Sequence, residues 1–102
     1  IRESNGIVVN VTDEEIMAAQ KMVGMNCGVF GEPAGVTGAA GLKKLCDQGV
    51  LGENDTVVSV ITGNGLKDVA NAIKACGDPI SIPSDMDLLL KAFKENGIEV
   101  EA

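Results

Sequence analysis

The chemistry-bearing side chains of this chain gather in one short stretch, Thr62-Gly63-Asn64-Gly65-Leu66-Lys67-Asp68. Thr62 brings a hydroxyl that can donate or accept a hydrogen bond. Gly63 and Gly65 let the backbone turn sharply and approach a flat ligand closely. Lys67 and Asp68 add opposite charges that read as local or surface pairs. On spacing alone the stretch is a strand-to-loop turn. It lacks the remaining glycine of a dinucleotide fingerprint and the lysine spacing of a P-loop. The other candidate is Glu32, directly before Pro33. A carboxylate at a helix N-terminus is stabilised by the dipole, which accounts for Glu32 structurally without any ligand. The chain has no histidine, and Cys27, Cys46 and Cys76 have no metal-ligand spacing. Zinc sites of the Cys/His type, imidazole bases and Ser-His-Asp triads are therefore excluded, and no metal site is expected. The cysteines read as reduced, small buried residues of a cytoplasmic protein.

The elements that must position these residues are set by the hydrophobic pattern. Residues 6–11 are β-branched and apolar and predict a buried strand. Thr12 and Glu15 form a capping-box pattern, and Ile16, Ala19 and Val23 at helical spacing predict a helix to about Met25. Residues 27–31 make a brief apolar stretch, a candidate short strand. Pro33 suits the first turn of a second helix. That helix contains Gly35, Gly38 and Gly41, each costing about 1 kcal/mol relative to alanine. Such a stripe implies that a sheet, a helix or a cofactor packs close to its backbone. Residues 57–61 form the strongest strand pattern, apolar on both faces as in a central parallel strand. Residues 79–83 read as an edge segment bounded by prolines. Met86, Leu89, Leu90 and Phe93 then repeat as one face of a last helix ended by Gly97. The alternation predicts a single α/β domain over residues 1–102, a three-layer parallel sheet with flanking helices. Ligands in such sheets bind beyond the carboxyl ends of strands, where residues 62–68 stand.

Composition narrows the partners. The net charge is −7 and there is no basic cluster beyond Lys43-Lys44, so nucleic acid is not an expected partner. Apolar runs are too short for a membrane span. Aromatic residues are only 2%, so the core must come from aliphatic side chains.

Thr62-Gly63-Asn64-Gly65-Leu66-Lys67-Asp68 resembles the Thr-Gly-x-Gly-Leu-Lys-Asp signature near the C-terminus of the threonine synthase family. Glu32-Pro33-Ala34-Gly35 is similar to a segment shared more widely by fold-type II pyridoxal-phosphate enzymes, threonine deaminases included. Val11-Thr12-Asp13-Glu14-Glu15-Ile16, with Ala19-Gln20-Lys21, looks like the family helix before it. The resemblance runs from residue 1 to about 83. It implies part of the large domain of a fold-type II enzyme, a lyase converting O-phosphohomoserine and water to threonine and phosphate with pyridoxal phosphate. Thr62 would then hydrogen-bond the pyridine nitrogen, and Gly63 would keep the ring wall clear. Glu32 stands as a further cofactor-side residue. The Schiff-base lysine and the phosphate loop lie upstream in the family, so no catalytic residue is expected here and the chain alone is not expected to bind the cofactor.

Two other readings stay open: a small stand-alone α/β ligand-binding or dimerisation module, and a piece of a related threonine or serine deaminase. A piece cut from a larger sheet would expose an edge and apolar helix faces, predicting a homodimer or strand-exchanged assembly of the isolated chain.

Overall fold

A computed structural model describes residues 1–99. The first helix, α1 (Asp13–Cys27), starts where its sequence dictates. The Glu15 amide donates to Thr12 Oγ1 at 3.3 Å, and the Thr12 amide donates to Glu15 Oε2 at 2.7 Å. Two otherwise orphaned N–H groups are thereby satisfied. The helix runs two residues past Met25 and stops at Gly28, whose φ of 66° admits the left-handed cap. Helix α2 (Pro33–Asp47) begins on Pro33, as expected. A 3₁₀ turn (Gly65–Asp68) leads into α3 (Val69–Cys76), and α4 (Met86–Glu95) starts at the N-cap Asp85.

The glycine stripe of α2 explains the packing. A Cβ on Gly35 would lie 3.1 Å from the Gly63 nitrogen and 3.2 Å from the Thr62 nitrogen. One on Gly38 would meet Ser59 Oγ at 3.2 Å, and one on Gly41 would meet Val9 at 3.9 Å. Residues 59–63 therefore run along the helix, against its direction, with backbone near backbone. What the stripe accommodates is an extended neighbour rather than a second helix.

The expected parallel sheet is not present: among the described residues there is no strand. Among the described residues, the one β-type pairing is an isolated antiparallel bridge between Gly31 and Asn64. Residues 6–11, 57–61 and 79–83 carry strand-type sequence but no ladder. The physical reason is that a strand exists only through its neighbour's N–H and C=O groups. Consequently Val58 and Val60 are 84% and 72% exposed, although their pattern called for burial on both faces. The buried core is small: Ala19, Gln20, Val36, Ala40 and Ala72, where α1 packs on α2 and α3. The cysteines, expected to be buried, are all exposed. Along α4, Leu89 and Phe93 are half-buried, and Met86 and Leu90 are exposed.

Candidate functional site

The segments 30–32 and 63–65 meet edge to edge at the N-terminus of α2. The Glu32 amide donates to Gly63 O at 2.8 Å, and the Gly65 amide donates to Phe30 O at 2.9 Å. These two bonds flank the Gly31–Asn64 bridge and fix the register of the turn against the helix. Asn64 then shapes the 3₁₀ turn: its Oδ1 accepts from the Leu66 amide at 2.9 Å, and its backbone carbonyl accepts from Lys67 N at 3.1 Å. Asp68 caps α3, accepting from the Asn71 amide at 3.2 Å and from Asn71 Nδ2 at 2.8 Å. The Asn71 side-chain bond, then its backbone bond, hold the Asp68 carboxyl below its ordinary range.

Two of the three residues singled out by sequence come together. Glu32 is the N-cap of α2, but its side chain makes no capping bond. It turns back over Gly63, so that a Cβ there would overlap its carboxyl. The same carboxyl pairs with Lys67 Nζ at 3.2 Å, with the Glu32 side chain 15% exposed and Lys67 66%. The dipole still favours the charge at this helix end, yet Glu32 is held by Gly63 and Lys67. Gly63 is thus cleared for Glu32 within the chain itself. Thr62, the third residue, is exposed, and no side-chain hydrogen bond joins its hydroxyl to the described residues. Of the local or surface pairs expected of Lys67 and Asp68, Asp68 makes a local one with Asn71, while Lys67 makes a surface one with Glu32, 35 residues away.

Sequence reasoning passed over two residues here. Phe30 lies against Gly65 so closely that a Cβ on that glycine would overlap its ring. Gln20 sends Nε2 to Gly31 O at 2.8 Å. The signal for Gln20 was available, since it adjoins Ala19 on the face that carries Ile16 and Val23, where a polar residue needs a buried partner.

Residues 1–63 match the family described as "Pyridoxal-phosphate dependent enzyme", and the chain belongs to that family. It is similar to the threonine synthase of Methanocaldococcus jannaschii, 44% identical over 95 residues, which are 93% of this chain and 24% of that protein. The threonine synthase of Methanosarcina acetivorans is 45% identical over 91% of this chain and 23% of its own length. That of Halalkalibacterium halodurans is 43% identical over 90% of this chain and 26% of its own length. The chain thus spans about a quarter of the length of the curated relatives it matches. The family match stops at Gly63, whereas the threonine synthase similarity carries on through the rest of the turn.

The family implies pyridoxal phosphate in the parent enzyme, and one residue of the turn has a group available to it. Thr62 is exposed, and its hydroxyl, uncommitted among the described residues, can hydrogen-bond a ring nitrogen, whereas the space at Gly63 beside it is filled by the Glu32 carboxyl. Lys67, the nearest lysine along the turn, is committed to Glu32. No group of three or more Cys, Asp or Glu side chains stands at metal-binding distance among the described residues. Among the described residues, no helix is long and apolar enough to cross a membrane.

Proposed function

We propose that the chain is the C-terminal portion of a threonine synthase, a cytoplasmic lyase that converts O-phosphohomoserine and water to threonine and phosphate. The observation that carries this reading is the identity of 44% across 93% of the chain to a threonine synthase, a stretch long enough to include both Glu32 and residues 62–68. In the whole protein, residues 6–11 and 57–61 become strands of the parallel sheet, and their exposed valines are covered. Pyridoxal phosphate supplies the electron sink for elimination at Cγ and addition of water at Cβ.

This chain contributes the wall at the pyridine nitrogen. Thr62 meets that nitrogen with a hydroxyl, which does not hold it protonated as a carboxylate would, so the sink is the weaker for it. Glu32, paired with Lys67 and bonded through its amide to Gly63 O, fixes the backbone directly after Thr62. The reactive lysine and the phosphate cradle come from outside these residues, so the isolated chain is expected to be inactive.

The test is release of threonine and phosphate from O-phosphohomoserine by the protein at its full natural length with pyridoxal phosphate. Deamination of threonine or serine in its place overturns the assignment. Thr62→Ala in that protein is expected to lower turnover roughly tenfold, as the loss of one hydrogen bond to the cofactor should, with the melting temperature unchanged. Unaltered kinetics would remove Thr62 from the site.

A further inference from the structure

Gln20 is 2% exposed, on the face of α1 that packs into the core. Its Nε2 donates to the Gly31 carbonyl at 2.8 Å, while its Oε1 is buried with no hydrogen-bond partner among the described residues. Leaving an amide oxygen unpaired inside a protein is unfavourable. A methionine of similar volume would fill the same space without that penalty, so the amide is explained by its donor end. That donor acts at one point. Phe30 O and Glu32 N face residues 63–65, so the Gly31 carbonyl points to the opposite edge, where a sheet would place another strand. Gln20 occupies that edge. Gly31 is gripped on its Cα as well: a Cβ there would meet Ile61 Cγ2 at 2.6 Å and Val36 Cγ1 at 2.7 Å.

We propose that Gln20 is a positioning residue of the site: through Gly31 it fixes segment 30–32, and so the seat of Glu32 on Gly63 and the placement of Thr62. Its consequence for the cofactor rests on the threonine synthase reading, whereas the positioning itself does not. Both are read in the full-length protein carrying Gln20→Met. Hydrogen exchange at the Glu32 and Gly65 amides is expected to quicken about tenfold, with Ala40 in α2 unchanged. Unchanged exchange at Glu32 and Gly65, or equal acceleration at Ala40, overturns the proposal. Titration with pyridoxal phosphate, followed by absorbance, is expected to show about tenfold weaker binding and a displaced band. Identical affinity and spectrum in a variant whose exchange has quickened would sever Gln20 from the cofactor. A wild-type protein that binds no pyridoxal phosphate sinks the assigned function and leaves exchange to decide the positioning. Should Gln20→Met not fold, Gln20→Asn keeps an amide one methylene too short to reach Gly31 O. The same accelerated exchange is expected of it, and its absence is equally fatal.

Discussion

At Gly63 a single methyl group decides the local geometry. The Glu32 carboxyl fills the space where a Cβ would stand, so Gly63→Ala must drive that carboxyl out and break its pairing with Lys67. We expect Gly63→Ala to destabilise the full-length protein by about 1–3 kcal/mol in chemical denaturation, the usual penalty for overpacking. Adding Glu32→Ala should restore most of the loss. A double variant as unstable as the single one would mean that the backbone, not the carboxyl, forbids the side chain. Thr62 and Gly63 stood out in the sequence because a hydroxyl beside glycines is recognisable chemistry. The hold of Glu32 and Lys67 on Gly63 was not legible, because residues 35 apart in sequence meet only after α2 has folded back.

Among the elements, α1 was the most legible, because its start is coded locally. Thr12, Glu15 and the acidic first turn satisfy the helix end with no help from the rest of the chain. The Glu15 carboxyl is held below its ordinary range, first by the Thr12 amide and then by the Lys44 ammonium. A carboxyl depressed in the folded state contributes stability above its unfolded pKa, and that contribution is lost as pH falls through the folded value. Helicity of α1 should therefore persist through roughly pH 4, the ordinary carboxylate range, and decline only below it. Thr12→Ala should cost about 1 kcal/mol and move the acid midpoint upward, read by circular dichroism on acidification. An unmoved midpoint would show that the capping box does not set the acid limit. Helix α3 was missed for the opposite reason. It has eight residues, and its N-cap Asp68 lies inside the turn that reads as a ligand loop.

The whole molecule is larger in surface than its mass requires. It exposes 7965 Å², against about 5,400 Å² for a compact monomer of 10.5 kDa, an excess of roughly 2,500 Å². Its radius of gyration is 17.4 Å, where a compact domain of this length would have about 13 Å. An excess of this size exceeds the roughly 1,200–2,000 Å² of a standard interface. The isolated chain is therefore expected to self-associate as a homodimer or strand-exchanged assembly through residues 57–61 and the uncovered helix faces. Light scattering at high concentration checks this, and a persistent monomer refutes it. The sequence by itself determined the starts of α1, α2 and α4, the glycine stripe of α2 and the kinship of residues 62–68, because caps, close approaches and motifs are written within a few neighbouring positions. Only the tertiary structure decided that Glu32 covers Gly63, that Gln20 braces Gly31 and that the strand-type segments have no ladder. Each of those depends on which distant group arrives at an edge, and a hydrogen-bonding edge is satisfied only by a neighbour that the fold brings to it.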